Sequence, residues 1–258
     1  MKIYTYWETA PGREIPPYIL LGLASMRRVF GEDFTILTPS VVQDLGIDPG
    51  DKEWGFRKEA DESSRALRAI IAKSDYVRMA AVAQEGGYWL DADTIALRDF
   101  RDDLAPMLEE HDFIWHSEQF FGSTPNNEIL TTAARNMLNA QWQTWGDPGQ
   151  VKTLIAEASS AVPRIPFWLI DPRSEQPYSY ATSGVLLEDH PVDEFLRNER
   201  QAILKLYNTP FAETEYGVMA PEQFLDSDTL LARVFLSIER DKGWWSRALT
   251  DIRQSLSN

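Results

Sequence analysis

The strongest constraint on this chain is an alternation that begins at once: extended, helical and extended runs follow one another within the first 40 residues. Ile3-Tyr4-Thr5-Tyr6-Trp7 is β-branched and aromatic, the composition of a strand. Pro11-Gly12 turns the chain. Pro16-Pro17 opens a helix over Tyr18 to Phe30, because proline's fixed φ suits a first helical turn, and Gly31 ends it. Phe34-Thr35-Ile36-Leu37, stopped by Pro39, reads as a buried strand. Strand, helix, strand in that order predicts an α/β sheet.

The alternation continues. Residues 61–85 are helical in period and read as two helices, with Ser74 as the N-cap of the second and Gly86-Gly87 as its stop. Tyr88-Trp89-Leu90 is a short strand running into Asp91-Ala92-Asp93, and Ile95-Ala96-Leu97 is again extended. Phe113-Ile114-Trp115 and Val185-Leu186-Leu187 read as strands; 127–140, 151–161 and 228–240 read as helices. The Pro-rich stretch 163–177 is a long loop. The 258 residues show no repeat or linker, which predicts one domain over 1–258.

Composition limits the partners. Forty acidic residues against 25 basic ones leave a formal charge of -15, the wrong sign for coating nucleic acid. The chain has no cysteine, so disulfides, thiolate metal sites and cysteine nucleophiles are excluded. His111, His116 and His190 lack metal-ligand spacing. There is no leader-like segment and no apolar run long enough to span a bilayer, so the expectation is a cytoplasmic protein with no integral membrane segment.

The chemistry concentrates in Ser74-Asp75-Tyr76-Val77-Arg78 and in Gly86-Gly87-Tyr88-Trp89-Leu90-Asp91-Ala92-Asp93. Asp91 and Asp93 are two carboxylates at i, i+2 after an apolar strand, and in extended geometry they project to one side. Hard oxygen ligands so placed can share Mg2+ or Mn2+, whose shell a diphosphate can complete. Asp75 and Arg78 share a helix face at i, i+3. Alone they would be a surface ion pair, just as Asp-x-Asp alone would be a solvated turn. Together they offer a carboxylate and a planar guanidinium to a polar substrate.

These two runs resemble glycosyltransferase family 32 and its relatives: yeast-type mannosyltransferases, capsular polysaccharide synthesis transferases and the glucosylating clostridial toxins. The central pattern of that family is close to Ser-Asp-(apolar)2-Arg, then Gly-Gly-x-Tyr-x-Asp-x-Asp. In this chain Trp89 takes the aromatic slot two before Asp91, with Tyr88 beside it. The resemblance spans about the first 100 residues, and implies a nucleotide-sugar and metal-binding half at 1–100 with an acceptor-side half at 101–258. It implies a GT-A fold, a mixed α/β sheet with a Rossmann-like nucleotide-binding half. It implies transfer of a hexosyl group from a nucleoside diphosphate sugar, such as a UDP- or GDP-sugar, to a hydroxyl of a saccharide or other acceptor, with retention of configuration and a role in polysaccharide biosynthesis. Mn2+ or Mg2+ on Asp91 and Asp93 would neutralise the departing diphosphate. Asp75, Arg78 and Asp93 would be the catalytic residues, and Trp7, Tyr88, Trp89 and Trp244 would join Asp75, Arg78 and Asp91 in binding the donor. Family members carry a late His or Ser near a Trp; here Asp241-Lys242-Gly243-Trp244-Trp245-Ser246 stands there without a His, which makes Asp241 the candidate third ligand. Ala181-Thr182-Ser183-Gly184 is similar to a small-residue loop near the acceptor.

Two other readings compete. Leu90-Asp91-Ala92-Asp93-Thr94 also matches the core of haloacid-dehalogenase-type phosphatases, with Asp91 as nucleophile. A non-catalytic nucleotide-sugar-binding protein is the third class. Nine tryptophans are many for this length; core packing accounts for most, and Trp168 and Trp244 are candidates for stacking on sugar rings.

Overall fold

The computed structural model describes residues 1–56, 62–171, 179–196 and 199–257. Its strands are β1 (Ile3–Tyr6), β2 (Phe34–Leu37), β3 (Gly87–Leu90), β4 (Thr94–Ala96), β5 (Phe113–Ser117), β6 (Phe120–Ser123) and β7 (Ile203–Lys205). The chain divides into two compact units, each assembled from separated segments. The first comprises Met1–Arg13, Asp33–Asp91 and Arg101–Ile165; the second comprises Glu14–Glu32, Ala92–Phe100 and Pro166–Asn258.

The first unit holds a five-stranded mixed sheet in the order β2-β1-β3-β6-β5. The α/β class read from the sequence is therefore present. β1 runs parallel to both β2 and β3, whereas β6 is antiparallel to β3 and to β5. The chain thus leaves β1 for β2 on one side and returns to β3 on the other. That reversal is a topological switch point, where the carboxyl ends of open α/β sheets form a ligand crevice. All four residues of β1 and all four of β3 are buried, as expected of strands covered on both faces. The helix Glu62–Glu85 packs against β1, β3 and the helix Glu128–Asn139. Val77, Met79 and Val82 from the first of these helices, with Leu130 and Met137 from the second, enter one core with Tyr4, Trp89 and Phe121.

The sequence predicted two helices over 61–85, but the chain forms one uninterrupted helix with Ser74 in its interior. Ser74 lacks a break to cap, because the apolar face continues from Ile70 through Val77 and burial overrides the local capping preference. The stop at Gly86-Gly87 occurs as expected. Both glycines have positive φ, +68° and +101°, and a Cβ on Gly87 would meet the Lys2 carbonyl oxygen at 2.5 Å. Only glycine lets the helix turn directly into a strand this close to β1.

In the second unit β4 pairs antiparallel with β7, and the helix Pro17–Phe30 packs against β4 and the C-terminal helix Lys242–Ser257. The expected strand at Val185–Leu187 is absent; Tyr180–Leu187 is a 3-10 stretch. Three apolar residues without a strand partner do not define an extended element. The stretch 163–177 includes a 3-10 turn at Phe167–Leu169, and its residues 172–177 lie outside the described residues. Among the described residues no helix is long and apolar enough to cross a membrane.

Candidate functional site

The core of the site in the first unit is a guanidinium between two carboxylates. Asp75 and Arg78 stand one helical turn apart on the Glu62–Glu85 helix, and Arg78 Nη2 meets Asp75 Oδ1 at 2.7 Å. Arg78 Nη1 reaches Asp91 Oδ1 at 3.3 Å and donates to the Glu118 carbonyl oxygen at 2.6 Å. The Trp89 indole N–H donates to the same Asp91 oxygen at 2.8 Å, and the Arg78 guanidinium lies 5.7 Å from the centre of the Trp89 ring. Asp75, Arg78 and Trp89 are buried, at 9%, 6% and 1% exposure.

This packing has electrostatic consequences. Burial drives the Asp75 carboxyl up to about 6, against the opposing pull of Arg78 and with help from Asp91 and Glu118. A buried guanidinium so held cannot relax, so it presents a fixed positive field. Register explains the placement. Tyr4 of β1 lies opposite Trp89 of β3, so Trp7, three residues on, and Asp91, two residues on, both stand at the carboxyl edge where the switch point lies. Trp7 is half-buried; its backbone N–H extends the β1–β2 pairing to Leu37 O at 3.0 Å, and its indole donates to Thr9 Oγ1 at 3.1 Å. Tyr88 points the other way along the pleat and is fully buried, against Gly122 of β6. Of the two aromatics in the motif, Trp89 is the one that touches Asp91.

Asp93 belongs to the second unit. The strand stops at Leu90 and the chain bends at residues 92–93, so Asp91 and Asp93 are not part of one extended strand. Asp93 is fixed twice: its carboxylate pairs with the Lys205 ammonium, and its carbonyl accepts the Leu206 N–H at 2.6 Å. Antiparallel pairing of Thr94 with Lys205 sets this up. Burial, with the Asp93 charge, pushes the Tyr18 phenol upward, and Tyr18 donates to Asn208 Oδ1 at 2.5 Å. Burial also raises Tyr207, partly offset by Lys205. Sequence reasoning passed over Lys205. Its one signal was a lone cation inside the apolar run Ala202-Ile203-Leu204-Lys205-Leu206.

The later candidates have local roles in the second unit. Asp241 is exposed and accepts the Gly243 N–H at 2.8 Å at the start of the Lys242–Ser257 helix; Arg247 approaches its other oxygen at 3.4 Å. Trp244 packs edge-on against Trp245 and lies under the Arg28 guanidinium at 5.7 Å. Trp168 lies under Arg200 at 3.9 Å. Among the described residues no group of three or more His, Asp or Glu side chains stands together as a metal cage would. In donor chemistry alone, the carboxylates of Asp91 and Asp93 are the hard oxygen groups that a divalent cation such as Mg2+ or Mn2+ prefers.

Residues 47–114 match the family model described as a glycosyltransferase sugar-binding region containing a DXD motif. That span includes Asp75, Arg78, Tyr88, Trp89, Asp91 and Asp93. The resemblance that the motifs carried is therefore found over these residues. One similar solved structure is the PaToxG glycosyltransferase, 16% identical with a TM-score of 0.32; the match covers 54% of this chain and 59% of that one. None of the curated proteins compared with this chain matches it.

Proposed function

We propose that this chain is a metal-dependent glycosyltransferase that moves a hexosyl group from a nucleoside diphosphate sugar to an acceptor hydroxyl, with retention of anomeric configuration. One observation carries the reading: Arg78 is held between Asp75 and Asp91 beside the switch point, inside the segment that matches the sugar-binding family. Asp75 and Arg78 would bind sugar hydroxyls. Their burial and mutual contacts restrict them to one arrangement, which fixes the anomeric carbon and supplies part of the barrier lowering as prepaid orientation. Trp7, half-buried at the same edge, would stack on the nucleobase. Asp91 and Asp93 would hold Mn2+ or Mg2+, which supplies Lewis-acid neutralisation of the leaving diphosphate.

The phosphatase reading has less support. Asp91 Oδ1 accepts from both Arg78 and Trp89, and a carboxylate oxygen so engaged is a weaker nucleophile.

The test is a panel of UDP- and GDP-sugars incubated with Mn2+, scored by release of the nucleoside diphosphate. Turnover of a donor is expected, lost with EDTA and lost in Asp93→Asn while circular dichroism stays unchanged. Undiminished turnover in Asp93→Asn, or none with any donor, overturns the proposal.

A further inference from the structure

The sequence assigned most tryptophans to the core. Trp89 and Trp245 are there, but Trp142 is 46% exposed and Trp145 is 70% exposed. Both sit in the first unit, on the segment that follows the Glu128–Asn139 helix. Trp145 rests edge-on against Phe56, ring centres 4.9 Å apart. Beside Trp142 is a cavity of about 300 Å³. That is the lower end of the size range of ligand pockets, roughly 300–1,000 Å³.

Its lining is uncharged. Asn136, Asn139, Gln143, Thr144 and Gln150 contribute polar groups around Trp142. On a protein of charge -15, a neutral wall is a selective feature. No lining side chain is a cation for a phosphate or carboxylate, the nearby Lys52 ammonium donating to the Ala140 carbonyl oxygen at 2.8 Å, and there is too little apolar surface for a greasy peptide. Side-chain amides both donate and accept, which matches hydroxyl groups that do the same. An exposed indole gives a flat apolar face for the C–H face of a pyranose ring.

The fold holds part of this wall in place. The Asn136 amide donates to Gly149 O and the Gln143 amide to Met137 O, each at 3.0 Å, so two of the amides are held in fixed orientation. Gly149 has φ +61°, and a Cβ there would come within 2.2 Å of the Ala133 carbonyl oxygen; the loop can close only with glycine. Lys152 then donates to Gly146 O at 2.5 Å and lies 3.7 Å from the Glu118 carboxylate. Glu118 is the residue whose carbonyl receives Arg78.

We infer that the Trp142 cavity binds a neutral saccharide, as an anchoring site that shares no residue with the Asp75–Arg78–Asp91 cluster. Its ligand class would be an uncharged oligosaccharide, held by amides and stacked on Trp142. The inference goes beyond the transfer reaction and stands on this cavity's own chemistry.

The test is isothermal titration of the full chain with tetrasaccharides of glucose, mannose, galactose and N-acetylglucosamine, with EDTA present and no nucleotide. Glucuronate-containing tetrasaccharides form the charged arm. Saturable binding of a neutral tetrasaccharide is expected. It should weaken at least tenfold in Trp142→Ala and in Asn139→Ala, and remain in Asp93→Asn. Both cavity variants sit on exposed positions; circular dichroism and nucleotide-sugar turnover report whether they stay folded. No binding by any neutral sugar, stronger binding of the charged arm, or unchanged binding in Trp142→Ala would each overturn the inference. Loss of transfer without loss of this binding would refute only the proposed reaction.

Discussion

At the scale of single residues, Arg78 is the centre of the site. Its fork contacts Asp75, Asp91 and the Glu118 carbonyl at once, and a lysine cannot reproduce three planar contacts. Arg78→Lys should therefore leave a folded protein whose donor turnover falls about 100-fold, since misplacing a positioned group by an ångström costs that much. Arg78→Ala should cost about 3–5 kcal/mol of stability, because two carboxylates lose their buried cation; urea melts measure it. Asp75 gives a pH signature. Its folded value, about 6, lies above the ordinary 3.8, so the folded state binds the proton more tightly. The stability it contributes is present below about pH 4 and is lost as pH rises through about 6. Asp75→Asn lacks this titration. Thermal melts should show the stability difference shifting toward the variant between pH 4 and 6; a constant difference would refute the assignment. The residue types of this cluster were legible in the sequence, since Asp75 and Arg78 are one turn apart and Asp91 follows an apolar strand. The Glu118 carbonyl was not, because it is 40 residues from Arg78 and carries no side-chain signal.

At the scale of elements, the join from the Glu62–Glu85 helix into β3 decides whether Asp91 reaches the cluster. Gly87 allows it by φ +101° and by close approach to Lys2, whereas Gly12 at φ +73° has open space around it. Gly87→Ala should then destabilise the protein by roughly 2 kcal/mol more than Gly12→Ala, since only the first combines backbone strain with a clash. Equal denaturation midpoints would contradict that account. The glycine stop was readable from sequence because it is local chemistry. The continuity of the preceding helix was not. Ser74 has a real capping preference, but the apolar face that crosses it is buried against β1 and the Glu128–Asn139 helix, and burial outweighs a cap. Val185–Leu187 failed for the opposite reason: strand-like residues found no strand beside them.

At the scale of the whole molecule, the strong net negative charge opposes an anionic ligand unless a cation reverses the local sign. Donor binding should accordingly be linked to the metal. At a donor concentration about 100 times its Kd, with Mn2+, the linkage adds about 2.7 kcal/mol. Thermal unfolding should then rise by roughly 5–10 °C, and EDTA should abolish the rise. A nucleotide-sugar shift that survives EDTA would separate binding from the metal. What the amino-acid order determined by itself was the alternation of strand and helix, the excluded chemistries, and the Asp, Arg and Trp types of the motif, because each is set by neighbours within a few residues. Only the tertiary structure decided that Lys205 meets Asp93 across 112 residues, that Trp142 and Trp145 face solvent, and that Tyr88 turns away while Trp89 engages Asp91. The physical reason is common to all of them. Strand register and burial are collective outcomes of how every segment packs, and no short window of sequence contains them.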